Sequence, residues 1–510
     1  MDDSASTQAR PGRRRAPRAS ASDEAPVVVP GLPGGALRPL DDRAADQVID
    51  AAFELLERVG FAGAPQSGID AMVAAGARVD DSGRVYLSRA MAEATLALAP
   101  RETTVFGFRA DRDLNVGGQR VHLGVGGAAV QVLDGATGQF RDSTALDLQD
   151  LARVVDVCDN IHYFLRPTVA RDMPDDRTLD INTAYACLSG TTKPIGLSFT
   201  GPDTVDDVAD MIAMATGAPF AERPACFVAA VHVVPPMRFA TEGCLVMERA
   251  IARGMPIQTC SAGQAGATSP AALAGALAQG LAECLAGVIY VNAIKPGHPV
   301  ISAFMPFISD LRTGAMTGGS GECAIASAAA SQLLHRLGLP STACAGMTDA
   351  KQADNQAGYE KGLTVALTAH AGSNMVNLSA GMLGSIMAAS AEAFVIDNDM
   401  HGAILRTVRG IEVSPETLSV DVIESVVHGE GHFLGTDQTM RLMKRDYLYP
   451  DLGDRRSVAD WQKDGSPTLW DRARDRVAAI LAEPMSGHVP ADADRAIRER
   501  FPILLPERKR

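Results

Sequence analysis

The segment MTDAKQADNQAGYE (Met347–Glu360) concentrates residue types that can carry chemistry. Its useful members are Asp349, Lys351, Asp354, Gln356 and Glu360. Carboxylates attract a cationic ligand, and an amide can hydrogen-bond a carboxylate on the same ligand. The pattern is equally typical of a polar loop that caps a following helix, with Asp354 or Asn355 near the N-cap. The sequence alone leaves both interpretations open.

Three lysines flank short apolar runs that are typical of strands: Lys193, Lys295 and Lys351. A lysine buried at the end of a strand can form a Schiff base with a carbonyl substrate, so a lyase that uses Lys351 or Lys295 is one candidate function. Lys295 lies in AIKPGHP, whose proline and glycine are typical of an exposed turn. Lys351 is therefore the better placed of the two.

Further polar or aromatic residues fall at or near the ends of predicted strands. His232, Gln264 and Asn292 are candidates for hydrogen-bonding a carboxylate or shaping a pocket, and Phe304 offers an aromatic face to a cation. Each of these, like Asp397, is by itself more typical of a structural role. As a ring around one opening they would form a binding pocket, so we predict them as substrate-binding residues and single out no catalytic residue.

Short β-branched or apolar runs recur along the middle of the chain and predict the strands that would position these residues. Most successive runs start roughly 30–45 residues apart, and the intervals carry helical patterns, which is the spacing of parallel β–α–β units. About eight such runs fit a TIM (β/α)8 barrel better than an open Rossmann sheet, so the predicted fold class is α/β. The runs begin at Ile161, Lys193, Ala225, Pro256, Pro299, Ser341, Met375 and Glu392.

The chain divides into four predicted sections. Residues 1–38, rich in Pro, Ser, Ala and Arg, predict a disordered basic tail. Residues 39–150 predict an N-terminal α/β section with three amphipathic helices and a β-rich stretch. Residues 151–410 predict the barrel. Residues 411–510 predict a helical extension that packs on the barrel and begins at an N-cap, Ser414, followed by Pro415.

Other motifs lack the context that their sites require. GVGGAA (Gly124–Ala129) is followed by a strand and turn pattern, whereas a dinucleotide fingerprint must open a helix. HGEGH (His428–His432) has two glycines in five residues, which spoil the rigid helical presentation of a zinc site. The eight cysteines stand singly, without CxxC, which is typical of free thiols in a reducing cytoplasm. We predict no metal site.

Charge and hydropathy restrict the partners. Lys plus Arg number 47 and Asp plus Glu 61, a net charge of −14; the first forty residues hold six Arg against four acids, so the remainder carries −16. Such a surface repels phosphate, which disfavours nucleic acid and anionic membranes. No apolar signal core opens the chain. The apolar stretch from Ala271 to Ile294 contains Glu283 and predicts a barrel helix leading into a strand, so we expect a cytoplasmic protein.

Several separated segments resemble the trimethylamine methyltransferase family, the corrinoid-dependent methylamine methyltransferases. Within Gly429–Leu481 the resemblance rests on the HFLG turn, the YPDLGDRRS run, the tryptophan of ADWQKDGS and the final RARDR helix. Upstream, VHLGVGGAAVQVLD, TDAKQADNQAGYE and NLSAGML resemble the same family in the same order. The resemblance extends over about Ala44 to Leu481.

The resemblance implies a TIM barrel whose C-terminal mouth binds a methylated amine, with a separate corrinoid protein receiving the methyl group on Co(I). The methylcobamide would be carried by that partner, because the chain contains no D-x-H-x-x-G, the cobamide-binding signature. We also expect a homo-oligomer.

The founding trimethylamine enzymes of the family carry pyrrolysine, whereas this sequence consists of ordinary residues throughout. A neutral tertiary amine leaves poorly unless it is activated, while a quaternary ammonium departs as a neutral amine. We therefore expect a quaternary amine such as glycine betaine as the methyl donor. Two alternatives stay open: a Schiff-base lyase that uses Lys351 or Lys295, and a non-catalytic betaine-binding protein.

Overall fold

The structure, a computed structural model, describes residues 26–508. Ahead of the barrel lies a section whose first long helix buries apolar side chains at three- and four-residue intervals. Asp41 caps that helix by accepting a hydrogen bond from the N–H of Ala44 at 2.7 Å. The elements of this section are β1 (Leu32–Pro33), α1 (Asp42–Arg58), α2 (Gln66–Ala74), β2 (Arg78–Val79), β3 (Val85–Tyr86), α3 (Arg89–Leu96), β4 (Glu102–Val105) and β5 (Leu114–Gly117).

Strands and helices then alternate to Arg409, with short hairpins inserted after several strands. The elements of the first half are β6 (Arg120–Val125), β7 (Gln131–Leu133), β8 (Phe140–Asp142), α4 (Ala145–Asp156), β9 (Tyr163–Leu165), α5 (Asp176–Gly190), β10 (Ile195–Leu197), α6 (Thr204–Thr216), β11 (Cys226–Val231), β12 (Val233–Val234), β13 (Arg238–Phe239) and α7 (Thr241–Arg253). Those of the second half are β14 (Ile257–Ser261), β15 (Gln264–Ala265), α8 (Leu273–Ile294), β16 (Val300–Phe304), β17 (Phe307–Ser309), β18 (Met316–Thr317), α9 (Gly321–Arg336), β19 (Ser341–Cys344), α10 (Asn355–His370), β20 (Met375–Asn377), β21 (Met382–Leu383), β22 (Ala388–Ala389) and α11 (Ala391–Arg409).

Eight parallel strands close into a ring. Their order is β6–β9–β10–β11–β14–β16–β19–β20, and β20 pairs back onto β6. Helices connect successive strands, so the fold is the predicted TIM (β/α)8 barrel. The loops that follow the strands gather at one end of the ring, the carboxyl end.

Side chains fill the inside of the ring. Tyr163 donates to Oδ1 of Asn377 at 2.7 Å, and Asn377 donates to Oε1 of Gln258 at 2.9 Å. Gln258 in turn donates to the hydroxyl of Thr342 at 3.1 Å. The β4–β5 hairpin, which leads into the amino end of β6, packs its apolar side chains against Tyr163 and Met375. The barrel is therefore a packed core whose free space lies at its carboxyl end.

Seven of the eight predicted strands are present, and the eighth is wrong. The run that begins at Glu392 lies in α11, where its apolar residues are buried in a helix. The missing strand is β6, in the section that we expected to precede the barrel near residue 151. The β4–β5 hairpin precedes β6 and the β7–β8 hairpin follows it, so β6 lies in a β-rich stretch that was assigned as a whole to the N-terminal section.

The prediction of a disordered tail over residues 1–38 includes residues that are structured. Leu32–Pro33 forms β1 and pairs antiparallel with β6. Residues 1–25, which hold most of the predicted tail, lie outside the described residues.

The apolar stretch near Ala271 forms one long helix, α8, and the strand that follows it, β16, begins at Val300. Within residues 26–508, α8 is long and apolar enough to cross a membrane by length and composition, yet 89% of its apolar window is buried inside the protein. It is packed as a core helix of the barrel.

The C-terminal extension has two parts. Its second part contains α16, which packs against α4 and α11, and α17, which packs against α6. Its first part, residues 412–449, is a separate unit in which Gln438 donates to the Glu416 carbonyl at 3.1 Å. Ser414 caps the first helix of this unit with Pro415 at the first helical position, as predicted. The helices of the extension are α12 (Pro415–Leu418), α13 (Val420–Val427), α14 (Asp437–Arg445), α15 (Val458–Lys463), α16 (Leu469–Ala482) and α17 (Ala491–Arg500).

Candidate functional site

Asp349 follows β19 at the carboxyl end of the ring, where three donors hold its carboxylate. The hydroxyls of Ser385 and Thr317 donate to it, and the N–H of Gly318 donates at 2.9 Å. Thr317 ends β18 and Ser385 lies between β21 and β22. Loops from three consecutive barrel strands therefore converge on one carboxylate.

Glu360, on α10, holds the loop that carries Asp349 from the side facing the protein interior. Its buried carboxylate accepts the Thr348 hydroxyl at 2.5 Å and the Asp349 N–H at 2.8 Å. Gln356 donates to its other oxygen at 2.9 Å. A Cβ at Gly319 would collide with this carboxyl group, so the close approach requires glycine there. Asp349, Gln356 and Glu360 thus form one connected cluster.

The charge state of Asp349 follows from its contacts. Partial burial raises the pKa of this carboxyl group, but hydrogen bonds from Ser385, Thr317 and the Gly318 N–H outweigh burial and hold the pKa below the ordinary value of an aspartate. The carboxylate is therefore ionised at neutral pH and presents a fixed negative charge.

A cavity of about 710 Å³ opens beside Asp349. The charged side chains in its lining are Asp310, Arg312, Glu322, Asp349 and Lys351, three acids against two bases. Arg312 donates to both carboxylate oxygens of Asp310, at 2.9 and 2.8 Å, which neutralises that pair. The cavity is of the size that holds small molecules and favours a cationic group near Asp349.

Asp354 lies apart from the Asp349 cluster. It caps α10 by accepting a hydrogen bond from the Ala357 N–H at 3.1 Å, as the structural interpretation of this segment expected. It also lines a second cavity, of about 360 Å³, together with Trp470 of the C-terminal extension. The segment from Met347 to Glu360 therefore borders two separate cavities.

His232 does not face either cavity, contrary to its prediction as a substrate-binding residue. Its ring is fully buried against α8, where Nε2 donates to the Glu283 carbonyl at 2.9 Å and Nδ1 accepts the Cys260 N–H at 3.2 Å. Burial lowers the pKa of His232 to about 4, so the ring is neutral at physiological pH. The residue joins the barrel wall to α8.

Phe304 and Asn292 were also expected at the opening, and the structure places both elsewhere. The Phe304 ring lies on the outer side of the barrel wall, against Gly280 of α8. Asn292 belongs to the last turns of α8, where it donates to the Val288 carbonyl and accepts the Gly297 N–H, each at 3.0 Å. That end of the helix leads into the amino end of β16, opposite the Asp349 cavity.

Gln264 does lie at the carboxyl end. It begins β15 just after β14, is partly buried, and donates to the hydroxyl of Ser309 at 2.7 Å. Ser309 lines the 710 Å³ cavity. Gln264 does not line the cavity itself but holds the Ser309 side chain in the cavity wall.

The three lysines have different environments. Lys351 lines the large cavity, is exposed, and donates to the Asp349 carbonyl at 2.6 Å. Lys295 follows the last residue of α8, at the amino end of the barrel. Lys193 is buried and donates to three backbone carbonyls at 2.5–2.6 Å, and burial lowers its pKa to about 8. Asp397 is also structural, since it pairs with buried Lys361 at 2.6 Å.

Sequence reasoning missed Thr317, Ser385 and Trp470. Hydroxyl residues are too common in loops to be singled out. The glycine pair of TGGS, beside Thr317, was the one available signal, because adjacent glycines are typical of a backbone that lies close to a ligand or to another segment. Trp470 lies more than a hundred residues from Asp354 in sequence, and only the packing of the extension brings the two together.

The chain matches the family model described as trimethylamine methyltransferase over residues 6–501. The glycine betaine methyltransferase of Desulfitobacterium hafniense (strain Y51) is 29% identical over 475 residues, which cover 92% of this chain and 96% of that protein. The trimethylamine methyltransferase MttB2 of Methanosarcina mazei is 33% identical over 450 residues, 83% of this chain and 88% of that protein.

Among solved structures, the dihydropteroate synthase from Xanthomonas albilineans with 7,8-dihydropteroate is 12% identical and has a TM-score of 0.35, covering 60% of this chain and all of that one. This likeness is too low to bear on function. The family match and the relatives cover nearly the whole chain and agree with each other. The chain therefore belongs to the trimethylamine methyltransferase family, and it is a methyltransferase.

Proposed function

We propose that the protein transfers a methyl group from a quaternary amine, such as glycine betaine, to the Co(I) of a separate corrinoid protein. A relative named glycine betaine methyltransferase aligns over 92% of this chain, which supports a quaternary donor. The sequence supplies only ordinary residues, so no pyrrolysine is present to activate a tertiary amine.

The observation that carries the proposal is the ionised carboxylate of Asp349 at the carboxyl end of the barrel, beside a 710 Å³ cavity. A quaternary nitrogen carries a permanent positive charge and has no N–H, so it is held by charge and shape rather than by hydrogen bonds. An ionised carboxylate fixed by three donors suits that task, since it needs no reorganisation when the cation arrives.

Methyl transfer from a quaternary amine needs no general acid or base from the protein. The bond between nitrogen and one methyl carbon breaks, its electron pair stays on nitrogen, and a neutral tertiary amine leaves without a proton. The methyl carbon meanwhile gains a bond whose electron pair comes from the Co(I) of the acceptor, which enters as the second substrate. The chain's contribution is to orient the cation, with Asp349 near the nitrogen and Glu360 and Gln356 fixing the loop that carries Asp349.

The proposal is tested by assaying methyl transfer from glycine betaine and from trimethylamine to cob(I)alamin. We expect transfer from glycine betaine and little from trimethylamine. Asp349→Asn should raise the KM for the quaternary amine about tenfold, because the amide keeps the shape and loses the charge. Asp111→Asn, which removes an exposed carboxylate outside the cavity, is the matched control. Absence of transfer from every quaternary amine tried, or an unchanged KM in Asp349→Asn, would contradict the proposal.

A lyase that uses Lys351 is distinguished by borohydride trapping with a carbonyl substrate. Schiff-base lysines are activated by desolvation or by a neighbouring cation, whereas Lys351 is exposed and its ammonium group donates to the Asp349 carbonyl. We expect no trapped adduct. A non-catalytic betaine-binding protein would bind glycine betaine and leave cob(I)alamin unmethylated in the same assay.

A further inference from the structure

We propose that the 360 Å³ cavity between Asp354 and Trp470 is a second binding site for a small quaternary ammonium ion, separate from the Asp349 cavity. Three distant segments build it: Leu133 and Gly138 from the β7–β8 hairpin, Gln352 to Asp354 from the loop after β19, and Thr468 and Trp470 from the start of α16. The inference does not depend on the methyl transfer proposed above.

The charge of the lining favours a cation. Among the described residues that line this cavity, Asp354 is the only one with an ionisable side chain. The Asp349 cavity, by contrast, is lined by charged side chains of both signs. One carboxylate oxygen of Asp354 accepts the Ala357 N–H, and within residues 26–508 no protein donor contacts the other. That oxygen is available to a ligand.

Trp470 provides an aromatic contact for the cation, in addition to the charge of Asp354. An indole face is the strongest aromatic partner of a cation, and its attraction adds to that of a nearby carboxylate. The ring packs against an apolar patch formed by Leu133, Leu383 and Ala388. Its backbone is fixed as well, because the Thr468 N–H donates to the Asp471 carboxylate at 2.9 Å while the Thr468 hydroxyl accepts the Asp471 N–H at 3.1 Å, a capping box at the start of α16. The aromatic wall is therefore held in place before a ligand binds.

The ligand class follows from these two walls. The Asp354 carboxylate supplies the counter-charge and the Trp470 indole supplies dispersion, and a small quaternary ammonium ion uses both without needing an N–H donor. The available volume accommodates a group as small as trimethylammonium with part of its substituent.

Intrinsic fluorescence gives a direct test, because the chain has two tryptophans. Trp461→Phe leaves Trp470 as the only tryptophan, which is excited at a wavelength where tyrosine does not absorb, and choline is the probe. We expect saturable quenching in the millimolar range at low salt. The matched ligand control is 3,3-dimethylbutan-1-ol, which has the shape of choline without its charge and should produce no saturable response.

Two protein variants assign the response to this cavity. Asp354→Asn keeps an N-cap residue of equal quality and removes the charge, so the affinity for choline should fall about fivefold to tenfold while the fold is retained. Trp470→Leu, compared with wild type by titration calorimetry, should abolish this binding step without the need for Trp461→Phe.

The result that would overturn the inference is a Trp470 emission that choline leaves unchanged, or an equal response to the neutral alcohol. Asp349→Asn separates the two sites. If that variant loses the Trp470 response together with methyl transfer, the two cavities are one site and the inference fails. If methyl transfer fails in wild type but the response persists, only the proposed function fails.

Discussion

The buried ion pair between Lys361 and Asp397 is a site where removal of a single charge should lower the stability of the protein. Both side chains are almost completely buried, their charged atoms lie 2.6 Å apart, and Asp397 also accepts the Gly381 N–H at 2.7 Å. Asp397→Asn keeps an acceptor for Gly381 but leaves the lysine without a counter-charge. We expect the free energy of unfolding to fall by about 3–5 kcal/mol in urea denaturation.

The double variant Lys361→Met with Asp397→Asn tests the cause. It removes both charges, so it should recover most of the stability lost in Asp397→Asn. Equal stabilities of the single and the double variant would mean that the loss comes from packing rather than from an unpaired charge.

At the scale of single residues, sequence reasoning identified the polar segment but could not assign its members. Asp349, Gln356 and Glu360 were predicted together and do lie together, because a loop and the first two turns of the helix that follows it are local in sequence. His232 and Phe304 also lie at strand ends, yet their side chains point to the outer side of the wall. Side chains alternate between the two faces of a strand, and a continuous apolar run does not show which face is the inner one.

At the scale of elements, α8 depends on glycines that allow close packing. A Cβ at Gly287 would collide with the His232 ring, so Gly287→Ala should destabilise the protein by about 1–3 kcal/mol although alanine is the better helix former. Gly358, inside α10, faces open space and is the matched control. Gly358→Ala should stabilise the protein by about 0.5–1 kcal/mol. The urea midpoints of the two variants should therefore move in opposite directions, and a shift of the same sign in both would contradict the packing argument.

Regular spacing decided which elements could be predicted. Seven barrel strands stand before helices of ordinary length, and the sequence indicates each of them. The strand β6 was assigned to the preceding section because it lies in a β-rich stretch, between the β4–β5 and β7–β8 hairpins. The run that begins at Glu392 has the apolar content of a buried strand, and a buried helix such as α11 shows the same content over so short a window.

At the scale of the whole molecule, buried imidazoles make stability depend on pH. Burial lowers the pKa of six histidines: His122, His162, His232, His298, His335 and His401. For three of them, His122, His232 and His298, the folded value is about 4, whereas an unfolded histidine titrates near 6.5. The unfolded chain therefore binds protons between about pH 6.5 and 4 that the folded chain does not, so the free energy of unfolding falls as the pH decreases through that range.

The expected loss at pH 5 relative to pH 7 is about 2 kcal/mol for each of the three. Urea midpoints measured at both pH values give the total. His298→Gln, whose amide can still donate to the Met255 carbonyl that His298 contacts at 2.9 Å, should lose less stability on acidification than wild type. Equal midpoints at the two pH values would contradict this account.

The closure of the ring also sets an order of events during synthesis. The strand β6 pairs with β9 on one side and with β20 on the other, so the first barrel strand to leave the ribosome waits for the last barrel strand. A nascent chain that ends before Asn377 keeps one edge of β6 and one edge of its growing sheet open, and open edges recruit other strands. Emergence of β20 from the ribosome, rather than the folding of any single β–α unit, is therefore the moment at which the barrel can close and its strand edges are no longer open to neighbouring chains on a polysome.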